Sequence, residues 1–424
     1  MKIKKIEMSY QDFLRQPDIK LKKPRRRSWI LHTLIRILST PELSQTKFKY
    51  EKIGMEKLSK KEPCIVLMNH SSFIDLKIAV KLLYPRKFNI VMTDDGFVGK
   101  EGLMRSIGCI PTKKFITDAK LVRDLKYVVE KLNSSILIYP EASYSFDGTA
   151  TDLPNNFGKF LKMFKLPVVM IKAEGAFLRD PLYNNLQVRK TTVSAKMKYL
   201  LSKEEIEKLS SNEINDIVKK EFDFDHFRYQ KENNVIIDEP FRADYLNRVL
   251  YKCPICGKEG NMEGKGITLT CHSCHNVWEL TEKGYLKNES GDTVFDHIPD
   301  WYRWERESVR KEIENDIYKM DLDVEICALK NYSQIYQVGN GKLIHDKTGF
   351  TLTGCDEQIN VFVPAHTTYS LYSDYYWYSI GDVICISDGK INYYCFPKEK
   401  DVVSKARLAT EELYKLIKEN KISY

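Results

Sequence analysis

Two cysteine pairs, Cys253-Pro-Ile-Cys256 and Cys271-His-Ser-Cys274, constrain this chain more tightly than any other feature. Two C-x2-C knuckles in this spacing are how thiolates surround a tetrahedral zinc ion. The expectation is a zinc ribbon with structural zinc held by Cys253, Cys256, Cys271 and Cys274. His272 and His275 lie beside the second knuckle, but four sulfurs already close the shell, and a closed shell serves structure rather than catalysis. Lys252, Lys258 and Lys265 are a thin basic set, offset by Glu259 and Glu263, so no nucleic-acid partner is expected. Six further cysteines are scattered, which fits one metal site and buried thiols in a reducing compartment.

The 424 residues suggest two or three domains at roughly 150 residues each. With 43% hydrophobic and 29% charged residues but only 20 Gly and 15 Pro, a largely disordered or low-complexity chain is excluded. Lys and Arg number 67 against 58 Asp and Glu, and residues 1–60 hold sixteen of the former and six of the latter. That basic N-terminal region calls for an anionic partner. There, Lys20-Leu-Lys-Lys-Pro-Arg-Arg-Arg27 leads through Ser28, a potential N-cap, into Trp29–Leu38. Trp29, Ile30, Leu34, Ile37 and Leu38 recur at helical spacing. Two readings stay open: a helix lying on a membrane surface, or a core-packed helix with a solvated basic lead-in. No apolar run reaches transmembrane length, and no secretory h-region or cleavage site is visible. The expected location is the cytoplasm, peripheral at the inner face of the membrane.

From Pro63 to Gly175 short apolar runs (64–68, 88–92, 135–139, 167–171) alternate with helical patterns (76–83, 119–132). This predicts an α/β domain with a partly parallel sheet. Two short helices follow over 202–222, capped by Ser202 and Ser211, and a boundary is expected near 245. Ile313–Lys319 reads as helical. From Gly339 strands are punctuated by the turns Asp346–Gly349 and Ser387–Lys390, Tyr369–Tyr378 reads as strand core, and an amphipathic helix spans about 402–418. The expected order is a basic amphipathic membrane-docking segment (1–50), the α/β domain (51–245), the zinc ribbon (246–290), a helical linker (291–335), and a small β-rich module with a C-terminal helix (336–424). That last module resembles pleckstrin-homology-like modules in its order of elements.

The chemistry centres on Asn69-His70-Ser-Ser-Phe-Ile-Asp75, which follows the apolar run Ile65–Met68 and precedes a helical pattern. A histidine at the C-terminal edge of a buried strand sits where open α/β sheets bind ligands. Paired with a carboxylate, it can remove a proton from a hydroxyl near neutral pH. Three more blocks follow in order: Ile107-Gly-Cys-Ile-Pro-Thr-Lys-Lys114, Ile138-Tyr-Pro-Glu-Ala-Ser-Tyr-Ser145 and Leu166-Pro-Val-Val-Met-Ile171. With these the chain resembles the glycerolipid (1-acyl-glycerol-3-phosphate, or lysophosphatidic acid) acyltransferases over roughly residues 25–240. Arg228-Tyr-Gln230, Tyr251-Lys-Cys253 and Asp300–Glu305 resemble a bacterial subgroup that carries a zinc ribbon after the catalytic domain.

The resemblance implies a lysolipid hydroxyl acceptor, a membrane lipid surface, and an acyl donor carried as a thioester on coenzyme A or acyl carrier protein. It assigns His70 as general base and Asp75 as the group that orients it, and it points to Gly108, Lys113, Lys114, Glu141 and Ser143 for substrate binding. Glu141 would hydrogen-bond acceptor hydroxyls or brace the site, and backbone N–H groups near Ser72 are candidate oxyanion donors. Two departures bear on the acceptor. Lys114 stands where the family has an arginine, a point charge in place of a bidentate fork. Ala142, Ser143 and Tyr144 stand where glycine, threonine and arginine are expected. The expected reaction is acylation of 1-acyl-glycerol-3-phosphate in phospholipid synthesis. Its rivals are O-acylation of a glycolipid or other lysolipid, and a catalytically idle lipid-binding adaptor.

Overall fold

The computed structural model describes residues 3–115, 119–291 and 293–422. They form two compact units, one of Leu21–Asp180 and Val188–Val235, the other of Met1–Lys20, Pro181–Gln187 and Ile236–Tyr424.

The first unit is built on a seven-stranded sheet. Its strands run in the order Lys49–Ile53, Ser194–Leu201, Val168–Glu174, Ile65–Met68, Ser135–Ile138, Phe88–Thr93 and Cys109–Thr112. The last five are mutually parallel, while Ser194–Leu201 runs antiparallel to Val168–Glu174. Parallel strands need crossovers, here helices such as Asp75–Leu83 and Ala119–Glu130, so all five parallel strands end at one edge. Ile65–Met68 is buried along its whole length, as expected of a strand covered on both faces. One face packs Ile65, Leu67, Ile136 and Met170 against Leu125, Val128, Leu161, Ile214 and Val218. The helices Lys203–Lys208 and Ser211–Glu221 both start with a capping box, Ser202 with Glu205 and Ser210 with Glu213. The second cap is thus Ser210 and not Ser211, because only Ser210 stands three residues before a glutamate.

Helix Trp29–Gln45 starts at Ser28, whose Oγ accepts from Leu31 N–H at 3.4 Å. It packs against Asp75–Leu83 through a face that buries His32, Ser39 and Leu43. Its apolar stripe points outward: Trp29 is 70%, Ile30 71% and Leu38 65% exposed, and Leu34 and Ile37 are exposed too. The helix therefore packs through one face and leaves the Trp29–Leu38 stripe exposed. No helix among the described residues is long and apolar enough to cross a membrane.

The second unit joins elements expected to be separate. A four-stranded antiparallel ribbon, Met262–Lys265, Thr268–Cys271, Val277–Leu280 and Leu286–Asn288, clusters with the C-terminal sheet. Seven strands of that sheet run in the order Ile359–Pro364, Gly349–Gly354, Ile335–Asp346, Met320–Leu329, Asn392–Pro397, Gly381–Ser387 and Tyr372–Trp377, and helix Val403–Lys418 follows. The sheet starts at Met320 rather than 336, since Met320, Leu322, Val324 and Ile326 alternate inward with acidic residues between them. The preceding helix is Ile298–Glu314, not 313–319. Pro299 sits in its first turn and Asn315 caps it, with Asp316 at φ 58° ending it. Residues 236–250 belong here, not before a boundary at 245, because they bond to the ribbon: Ile237 N–H to Glu282 O, Ala243 N–H to Gly266 O and Tyr245 N–H to Gly264 O, each 2.9 Å.

The first twenty residues belong here as well, and not with residues 21–50. Lys5–Glu7 pairs in parallel with Ile335–Gln337, Phe13 is fully buried, and Tyr10 meets Tyr393 hydroxyl to hydroxyl at 2.9 Å.

Gly158 offers a test of the packing between helices Phe157–Phe164 and Ser211–Glu221. A Cβ there would lie 2.1 Å from Ser211 O, whereas one at Gly102 meets nothing within 4 Å. Gly158→Ala should therefore destabilise the unit by about 1–3 kcal/mol, read as a lower urea midpoint, while Gly102→Ala leaves the midpoint in place or raises it.

Candidate active site

The parallel-strand edge collects the candidate residues. His70 follows strand Ile65–Met68, Tyr139 and Glu141 follow Ser135–Ile138, and Lys113 and Lys114 follow Cys109–Thr112. Asp75 is the first residue of its helix and is buried. Its Oδ2 lies 3.0 Å from His70 Nδ1 and accepts Ser71 N–H at 2.8 Å and Ser72 N–H at 3.0 Å. An oxygen that takes two backbone N–H groups is an acceptor, so His70 Nδ1 carries the proton. The lone pair is then on Nε2, and the ring can act as a base there. Burial holds the His70 pKa below its ordinary value; Asp75 pulls it back up and Lys114 adds to the lowering. The ring stacks on Tyr139 with centroids 4.1 Å apart and packs on Tyr144 at 3.9 Å, and Tyr144 stacks in turn on the half-exposed Phe73.

The turn carrying His70 is tied down on every side. Asn69 bonds both backbone groups of Ala173, at 2.8 and 2.9 Å. Glu141, also buried, accepts His70 N–H at 2.9 Å through Oε2, and Thr151 N–H at 2.9 Å through Oε1. Glu141 thus ties the His70 backbone to the backbone of Thr151. The N–H groups of Ser71 and Ser72 are committed to Asp75 and that of Ile74 to Ser72 Oγ, so the Ser71 and Ser72 amides are not oxyanion donors.

Gly108 lies elsewhere, at the start of the strand whose end carries Lys113. Its φ of 88° and a would-be Cβ 3.2 Å from Arg27 Cβ explain the glycine by packing, not by substrate. Ser143 is buried. Ala142 keeps φ at 55°, a left-handed conformation that glycine adopts without strain. Sequence reasoning missed the contacts of Tyr139 with His70. It also missed His226, which reaches Ser71, and Asp180, which reaches Ser72. No spacing signals them, since both arrive from distant elements.

The four cysteines form a second, separate cluster. Cys253 and Cys274 Sγ are 3.6 Å apart, Cys256 and Cys271 Sγ 3.8 Å, and all four sulfurs lie within 4.8 Å of one another. A tetrahedron with Zn–S of about 2.3 Å has edges of roughly 3.8 Å, so the donor set fits zinc. Each knuckle closes the same way, with Gly257 N–H on Cys253 O at 2.9 Å and His275 N–H on Cys271 O at 2.8 Å. His272 faces Glu263 at 3.1 Å and is no ligand in this arrangement.

Two outcomes follow. Because Asp75 raises and Lys114 lowers the His70 pKa, Asp75→Asn should move the His70 NMR titration midpoint down and Lys114→Met should move it up. The opposite signs would refute the assigned electrostatics. Elemental analysis should find one zinc per chain, lost in Cys271→Ser together with a lower unfolding midpoint, since a structural zinc contributes on the order of 10 kcal/mol to folding.

Residues 49–173 match the family model described as acyltransferase. Among solved structures the chain is similar to the 1-acyl-sn-glycerophosphate (LPA) acyltransferase PlsC from Thermotoga maritima, with 17% identity, a TM-score of 0.33, and coverage of 45% of this chain and 78% of that one. His70, Asp75, Lys113, Lys114 and Glu141 all lie within the segment that matches this acyltransferase model.

Proposed function

We propose that the protein transfers a fatty acyl chain from an acyl thioester to a lipid hydroxyl at a membrane surface, with 1-acyl-glycerol-3-phosphate as acceptor. The observation that carries this reading is the His70–Asp75 pair, with Nδ1–H fixed on Asp75 and Nε2 left as base, inside a segment that matches the acyltransferase family. His70 Nε2 takes the proton of the acceptor hydroxyl as that oxygen attacks the thioester carbonyl. The carbon–sulfur bond breaks, and the departing thiolate takes the proton from the imidazolium. Asp75 stabilises that imidazolium without itself gaining a proton. Coenzyme A or acyl carrier protein carries the acyl group, and no acyl-enzyme forms. Lys114, close enough to bear on His70, supplies with Lys113 the charge for an acceptor phosphate. Zinc in the ribbon has a structural role.

Tyr144, packed on His70 where the family has an arginine, favours a second reading: an acceptor with hydroxyls and no phosphate at this position, such as a glycolipid or other lysolipid.

The outward stripe Trp29, Ile30, Leu34, Ile37 and Leu38, preceded by exposed Lys22, Lys23, Arg25 and Arg26, is proposed to dock on anionic lipid. Each basic residue near such a surface contributes about 1 kcal/mol. In a flotation assay the wild type should bind phosphatidylglycerol vesicles and bind less as salt rises, and Ile30→Ser/Leu34→Ser/Leu38→Ser should not bind.

The deciding experiment is transfer of labelled acyl chain from acyl-CoA and from acyl carrier protein to lysophosphatidic acid and to a total lipid extract. Wild type should label lysophosphatidic acid, and His70→Ala should fall by about a hundredfold or more. Label in another lipid moves the acceptor to the second reading. No transfer from either donor by a folded wild type leaves the idle lipid-binding adaptor.

A further inference from the structure

Both backbone N–H groups that hold Asp75 belong to serines whose side chains are held from outside the turn. His226, at the start of helix His226–Glu232, is buried. Its Nδ1 accepts Gly175 N–H at 3.1 Å, and its Nε2 lies 3.0 Å from Ser71 Oγ. A backbone N–H only donates, so His226 is the Nε2–H tautomer and donates to Ser71. Burial holds it neutral and lowers its pKa to about 3, with Asp225 pulling upward and Lys172 adding to the lowering. Phe177 and Phe224 complete its surroundings.

Asp180, after the end of strand Val168–Glu174, takes the Ser72 hydroxyl and pairs with Arg179 at 2.6 Å. Arg179 also reaches Glu42 at 3.1 Å. Ser72 Oγ meanwhile accepts Ile74 N–H at 3.2 Å. Burial raises the Asp180 carboxyl to about 6, opposed by Ser72 and Arg179 and supported by the Asp75 charge.

We infer that His226 and Asp180 are positioning residues for the acyl-transfer site: by holding Ser71 and Ser72 they fix the two amides that orient Asp75, and through Asp75 the tautomer of His70. Neither residue touches the imidazole of His70. Their action depends on the turn, because a rotation of either serine would swing its N–H off Asp75 Oδ2 and leave Nδ1–H of His70 without a fixed acceptor. The kinetic part of this inference rests on the acyltransferase reading. The tautomer part does not.

The test uses the full chain labelled with 15N-histidine, in which two-dimensional NMR reads the His70 tautomer without substrate, beside acyl-transfer kinetics. Wild type should show His70 as one tautomer, protonated on Nδ1. Ser71→Ala and His226→Phe should each give tautomer exchange at His70 and a kcat lower by about tenfold to a hundredfold, with KM within about twofold. Ser72→Ala, which frees the other amide, should do the same. His226→Gln, whose amide can donate to Ser71 and accept from Gly175, should restore the single tautomer and most of kcat.

A folded Ser71→Ala and a folded Ser72→Ala that keep the wild-type tautomer would overturn the inference, whatever happens to activity, since a merely structural role lowers the unfolding midpoint without moving the His70 signals. If His226→Phe does not fold, the serine variants decide. Should wild type show the fixed tautomer but transfer no acyl group, the acyltransferase reading fails while the positioning network stands.

Discussion

A single carboxylate oxygen, Asp75 Oδ2, organises this molecule's chemistry. It receives the His70 ring and two backbone amides at 2.8–3.0 Å, and its side chain is buried. In a medium of low polarity such charge-assisted bonds are strong, and their loss is correspondingly costly. The oxygen therefore sets the shape of the 69–75 turn and the proton position on His70 together. Its partner Oδ1 takes no hydrogen bond among the described residues, so the negative charge is directed toward the histidine side. The five parallel strands exist, from the standpoint of the site, to bring their C-terminal ends to this oxygen's neighbourhood.

The stacking of Tyr139 and Tyr144 on the imidazole works against Asp75. Rings packed on an imidazole strip water from it, and burial of this kind disfavours the charged form. The carboxylate favours that form. The result is an imidazole that stays neutral below the usual histidine range while its charged form still has a counter-charge in Asp75. Glu141 holds the backbone of His70 through its N–H.

The second unit shows a different solution to burial of charge. Glu411 and Glu412 lie on helix Val403–Lys418 and are nearly fully buried. Arg306 Nη2 meets Glu411 at 2.7 Å, Arg310 Nη1 meets Glu412 at 3.0 Å, and Arg407 joins Glu411 at 3.2 Å. Burial would raise the Glu411 carboxyl, but Arg306 and Arg407 together bring it down to about 2. Such a network fixes the register of two helices more than it adds stability, because desolvation offsets most of the Coulomb gain. The two helices it joins lie on either side of the sheet in sequence, which is why linker, sheet and terminal helix are one unit rather than three.

The sequence by itself determined what depends on short spacing. The buried run Ile65–Met68, the five-residue step from His70 to Asp75, the two cysteine knuckles, the Ser28 cap and the turns at 346–349 and 387–390 are local, and local rules read them. Tertiary structure decided what depends on distant chain meeting in space. The burial of Glu141, the removal of Gly108 from the site, the return of residues 3–20 to a C-terminal sheet, and the reach of His226 and Asp180 to Ser71 and Ser72 all join residues between seventy and more than three hundred positions apart. Periodicity says which face of an element is apolar. It is silent on which other element will cover that face, because that choice is made by the summed packing of the whole unit.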